Sequence, residues 1–200
     1  TPTTTAAPTT PTTPVTPVEK QAAVPETPKY GGKVNLVANG DITGWDDIVT
    51  RSVTPGTTFR ITNESMWAGD WSKGPAGGYG AGVTDWGGDH DLFDQKEGMV
   101  AESTTWTTDA ANNQAAIVYQ IRQGTHYALD PANEASRLVG GREVTADDVV
   151  FSLKQTVTIP TAYVYKSNPE LRTANITKTG PREVIVKVTL DALMTAISRF

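Results

Sequence analysis

Cysteine is absent from the 200 residues. Disulfides, thiolate zinc sites and a cysteine nucleophile are therefore excluded. Only two histidines occur, His90 and His126, far apart in the chain, and no His-Glu-x-x-His pair exists. No apolar run reaches the roughly 18 residues that a membrane-spanning helix needs. No Gly-x-Ser-x-Gly elbow is present. Basic charge is in short supply, since 17 Lys and Arg against 22 Asp and Glu leave a net charge of -5. Nucleic acid is an unexpected partner for such a chain, because phosphate contacts require a basic patch.

The first feature that is present is a compositional break. Seven of the 13 prolines and ten threonines fall within residues 1–28. A stretch so poor in apolar surface cannot offset the entropy of ordering, and its prolines favour extended polyproline II. Residues 1–29 are expected to form a disordered Thr/Pro-rich spacer, and residues 30–200 the folded part. Thr1 is not an initiator Met and no signal peptide is visible, so a processed chain or a fragment is expected.

Gly31-Gly32 followed by Lys33–Val37 reads as a turn and a strand. Ligands of open α/β sheets lie beside strand ends. Asn39, Asp41 and Trp45, in the loop that follows, are therefore candidate ligand contacts. The plainer alternative makes Asp41 and Asp47 turn caps and Trp45 a core residue. Residues 57–62 read as a short strand. Trp67 and Trp71 lie four residues apart beside Met66, with Tyr79 and Trp86 later. They suit a stacking wall for a peptide side chain or a sugar ring. Local packing that anchors a long loop is the preferred alternative.

Seven glycines in residues 74–88 read as a flexible loop, because no Gly-Lys-Ser/Thr follows them. Asp85, Asp89, His90, Asp91 and Asp94 offer oxygen ligands of the kind calcium takes. They lack EF-hand order, so a solvated loop without metal is expected. No other cofactor is expected.

The most regular stretch is Ile121–Leu153 with the strand that leads into it. Ile117, Tyr119 and Ile121 share one face; Val118, Gln120 and Arg122 share the other. Thr145 suits a helix N-cap whose hydroxyl accepts from the Asp148 amide, with Asp147 and Asp148 in the first turn. Asp148 stands where a capping box wants Glu or Gln. Val149, Val150, Leu153 and Val157 then make an apolar stripe. Adjacent carboxylates, Asp46-Asp47 and Asp147-Asp148, read as caps rather than an acid–base pair, since neighbours on a helix do not face each other. Further on, Thr173–Lys178 and Glu183–Leu190 read as a hairpin about a Thr179-Gly180 turn. A last helix, Ala192–Arg199, is expected behind Asp191.

Arg122-x-Gly124, followed by Gly141-Arg142-Glu143-x-Thr145-Ala146-Asp147-Asp148-Val149-Val150-Phe151-Ser152-Leu153, closely resembles a signature of the extracytoplasmic solute-binding proteins of ABC importers. The relevant group is the peptide/nickel-binding type (family 5), which includes dipeptide- and oligopeptide-binding members. Gly31-Gly32, the loop around Asp41, the Gly69–Gly77 segment and Gly98–Ser103 are similar to other segments of that family. Thr104 departs from it, standing where Trp is usual. The resemblance implies an α/β fold, type II periplasmic-binding-protein-like, with a mixed sheet and flanking helices. It implies that the chain covers the N-terminal part of the first lobe.

By the same resemblance the function is capture of a peptide-like solute, with an oligosaccharide or nickel chelate as alternatives. ABC permease subunits are the implied partners. An extracytoplasmic place, periplasmic or as a cell-surface lipoprotein held by an N-terminal anchor, is implied too. The resemblance implies no catalytic residue. It makes His126 structural, and it makes Arg122, Gly124, Gly141, Thr145 and Asp148 fold determinants. A carbohydrate-binding module or enzyme accessory domain on a Thr/Pro stalk is the alternative, weakened by the helical patterns and the missing catalytic motifs.

Overall fold

The computed structural model describes residues 31–37, 40–50, 58–59, 61–70 and 96–200. The chain divides into two units, Thr1–Val37 and Ala38–Phe200. In the first, residues 31–37 carry no regular secondary structure, and Val34, Leu36 and Val37 are exposed. The strand expected at Lys33–Val37 is thus corrected. A strand exists only through the backbone bonds of a neighbour. No described strand pairs with it. The spacer expected at 1–29 lies outside the described residues.

The second unit is built on two antiparallel sheets. β1 (Trp67–Gly69) pairs with β2 (Lys96–Gly98). The larger sheet holds β3 (Ala101–Asp109), β4 (Gln114–Ile121), β5 (Asn175–Gly180) and β6 (Glu183–Thr189) in the order β3-β4-β6-β5. Every strand pair among the described residues is antiparallel, where a mixed sheet was expected. Short turns account for two of these pairs, β3–β4 and β5–β6. Residues 110–113 return the chain from β3 to β4, and Pro181-Arg182 return it from β5 to β6. Asp109 shapes the first turn by accepting from the Asn112 amide at 3.2 Å and its side-chain amide at 2.7 Å. Asn113 completes it with φ 51°, a left-handed conformation that Asn tolerates. The second turn sits two residues later than the expected Thr179-Gly180.

The helices are α1 (Glu134–Val139), α2 (Ala146–Thr158), α3 (Tyr163–Ser167) and α4 (Leu193–Arg199), with 3-10 turns at Pro169–Thr173 and Leu190–Ala192. The period-two pattern decides what the larger sheet buries. Ile117, Tyr119 and Ile121 of β4 are 0–1% exposed, as are Val184 and Val186 of β6 and Ile176 of β5. Cross-strand register puts Ile117 opposite Val186, and Val186 opposite Ile176. Val149, Leu153 and Val157 of α2, Val164 of α3, Leu171, and Leu193 and Ile197 of α4 join the same core. Each large aliphatic side chain buried there contributes about 2 kcal/mol over exposure. The α2 stripe therefore seats as its spacing predicts, with Val150 half-buried beside it.

Two further expectations change. Thr58, Phe59, Ile61 and Thr62, expected in a strand, are helical. The Asn63 amide donates to the Phe59 carbonyl at 2.6 Å, a bond four residues back that closes a helical turn. Phe59 is buried and Ile61 exposed, so their spacing serves one buried contact rather than a strand face. Asp191 does not cap the last helix; it lies in the 3-10 turn, and Ala192 precedes α4 without a side-chain cap.

Candidate functional site

The exit of β4 joins two separate parts of the sequence. Arg122 leaves the strand and its amide donates to the Val100 carbonyl at 2.8 Å. Its guanidinium donates to the carbonyls of Met99 at 2.9 Å and Gly98 at 2.7 Å. The chain at Gly98 is so tight that a Cβ there would stand 2.1 Å from the Ala101 carbonyl oxygen. Glycine is required by that approach, and Arg122 satisfies the carbonyls that the bend turns outward.

Beyond Arg122 the chain makes an excursion that returns at Glu143. Its two ends are stitched together. His126 and Glu143 form an antiparallel bridge. The Tyr127 amide donates to Arg142 at 3.1 Å and the Val144 amide to Thr125 at 2.8 Å. The Glu143 carboxylate accepts from the Gly124 amide at 2.7 Å, and His126 Nδ1 lies 2.9 Å from the Gly141 carbonyl. His126 thus has a structural setting. Inside the excursion, Ser136 accepts from the Asp130 amide at 2.8 Å and donates to the Ala128 carbonyl at 2.9 Å. Asn133 caps α1, accepting from the Ser136 amide at 3.1 Å. Gly140 ends it at φ 69°, the left-handed closure that costs glycine little. α1 buries no residue. Leu129 and Leu138 stand exposed.

The excursion delivers Arg142 to the start of α2. Its guanidinium grips Asp148 through two bonds of 2.7 and 2.6 Å and lies over the Tyr127 ring, 5.1 Å from its centre. The Asp148 carboxylate also accepts from the Thr145 amide at 2.9 Å and hydroxyl at 2.7 Å. The two side chains meet in the arrangement of a capping box. The Asp148 amide, however, donates to the Thr145 main-chain carbonyl at 3.1 Å and the Thr145 hydroxyl donates to the carboxylate, where the sequence predicts that the hydroxyl accepts from that amide. The bonds to the carboxylate, the Arg142 pair foremost, hold the Asp148 carboxyl far below the usual carboxylate range. Asp148 bonding in turn raises Arg142. Partial burial, and then the Asp148 charge, raise the Tyr127 hydroxyl. Asp147 pairs with Lys178 of β5 at 2.5 Å.

Of the five expected ligand contacts, Asp41, Trp45 and Trp67 are among the described residues. Asn39 and Trp71 lie outside the described residues, as do Asp85, Asp89, His90, Asp91 and Asp94. Asp41 is exposed in irregular chain. Trp45 is 70% exposed and meets Phe59 edge-on, ring centres 6.3 Å apart. Its loop is held by Asp46, whose carboxylate accepts from the Ile48 amide at 3.0 Å, and by a 2.9 Å bond from the Tyr163 amide to the Ile48 carbonyl. Trp67 meets Tyr119 of the core edge-on at 6.5 Å, with the Lys96 ammonium 4.5 Å above its ring. Trp67 therefore anchors the β1–β2 ribbon to the sheet, and Trp45 and Trp67 pack on different partners.

Sequence reasoning missed the Arg142–Asp148–Tyr127 cluster. Its one signal was an Arg standing three residues before the Thr145 cap. Tyr119 lies on the buried face that the alternation predicts; its hydroxyl is buried without a hydrogen-bond partner and is pushed well above its usual range by that burial. A shallow cavity of about 150 Å³ lies at the β3–β4 tip, lined by Thr107, Thr108, Asp109, Gln114, Ala115, Ala116 and Lys187. It is smaller than the roughly 300 Å³ at which organic-ligand pockets begin, and it holds none of the expected contacts. Among the described residues no group of three His, Asp or Glu side chains is placed to hold a metal. No described helix is long and apolar enough to cross a membrane.

No protein-family model matches the chain, and no curated protein matches it.

Proposed function

We propose that the chain is the N-terminal part of the first lobe of an extracytoplasmic solute-binding protein serving an ABC importer, with a type II periplasmic-binding-protein-like fold. The observation that carries this reading is the joining of two stretches that resemble the family. Arg122, at the head of the Arg-x-Gly signature, binds the carbonyls of Gly98 and Met99 in the other family-like segment. Within the signature, Gly124 is bonded to Glu143 and Arg142 to Asp148. Residues that look like a family signature thus act as one connected structural unit. An α/β layer with helices over one sheet face is compatible with a lobe of this kind.

Such a receptor closes two lobes about its solute and offers the closed form to the permease subunits. Binding draws on contacts that exist only when both lobes meet, and no covalent step occurs. The solute is peptide-like, with an oligosaccharide or a nickel chelate as the other classes. The site of action is outside the cytoplasmic membrane, with a Thr/Pro spacer between an N-terminal anchor and the lobe. The helices α2 and α4 weigh against the carbohydrate-binding-module alternative, since such modules are mostly all-β sandwiches.

A thermal-shift screen of the full-length protein against peptides, oligosaccharides and nickel chelates tests this reading. A ligand at 100 times its Kd stabilises the folded form by about 2.7 kcal/mol through mass action. A rise in Tm with one class identifies the solute. No shift with any class counts against the receptor.

A further inference from the structure

We draw no further inference here: the strongest candidate, the exposed apolar pair Leu129 and Leu138 on the excursion between β4 and α2, is an unpartnered surface, and nothing in the structure shows what covers it.

Discussion

The excursion at residues 123–144 and the sheet that launches it are stabilised in opposite ways. β4 and β6 bury Ile117, Tyr119, Ile121, Val184 and Val186 almost completely. α1 buries nothing. Its surroundings are held by backbone bonds across the stem, by Ser136 and Asn133, and by the grip of Arg142 on Asp148. Apolar burial is large, non-directional and indifferent to pH. Polar stitching is directional, individually small and, at Asp148, dependent on charge. One contiguous run of sequence therefore contains a foundation held by apolar burial and an excursion held by polar bonds.

Substitutions should expose that difference, most strongly in the sheet. Ile117→Ala removes a fully buried side chain opposite Val186 and should cost about 3 kcal/mol. Urea unfolding checks it, and a loss under about 1 kcal/mol would place Ile117 outside the cooperative core. Gly98→Ala drives a Cβ into the Ala101 carbonyl and should cost about 2 kcal/mol, the scale of overpacking. A neutral result would mean that the Arg122 clamp tolerates displacement of this bend.

At Asp148 the effect should be smaller and should depend on pH. Its folded-state pKa lies below the unfolded value. The stabilisation is thus present above the unfolded pKa, about 3.9, and is lost as pH falls through the lower folded value. Asp148→Asn should cost about 1 kcal/mol at neutral pH, the scale of a lost cap. The gap between variant and parent should shrink in acid below about pH 4. Denaturant curves at pH 7 and pH 3 check this; a gap independent of pH would show that geometry rather than charge matters there. Leu138→Ala should change stability by less than about 0.5 kcal/mol, because Leu138 is 83% exposed. A larger loss would show that the excursion packs against something in solution.

The foundation was legible in the sequence and the excursion was not, for the same physical reason. Period-two alternation over Ile117–Ile121 and Val184–Val188, and the helical stripe Val149–Leu153–Val157, are local signatures of burial. The Thr145 cap is equally local, since its partner lies three residues on. The Arg122 clamp depends on carbonyls more than twenty residues upstream, and no spacing rule reports such a contact. The strands expected at 57–62 and 33–37 mislead because local sequence does not supply the neighbour whose backbone bonds make a strand. Of the expected ligand contacts, Trp67 was legible as an aromatic of consequence, but the side it packs on was decided by Tyr119, distant in sequence. Fold elements with local causes could be read. Placement of Asp41 and Trp45 depends on tertiary contacts such as Tyr163 to Ile48 that sequence spacing does not encode.

The unpartnered hydroxyl of Tyr119 makes the molecule an optical gauge of its own integrity. The phenol is sealed in the core and cannot ionise where exposed phenols do. It is the one buried tyrosine among the described residues, and its phenolate absorption should stay absent through an alkaline titration until the sheet opens. Its ring also meets Trp67 edge-on, so light absorbed by Tyr119 should emerge as tryptophan emission while β1 remains docked. Loss of that transfer before the phenolate signal appears would time the release of the small ribbon ahead of the collapse of the sheet.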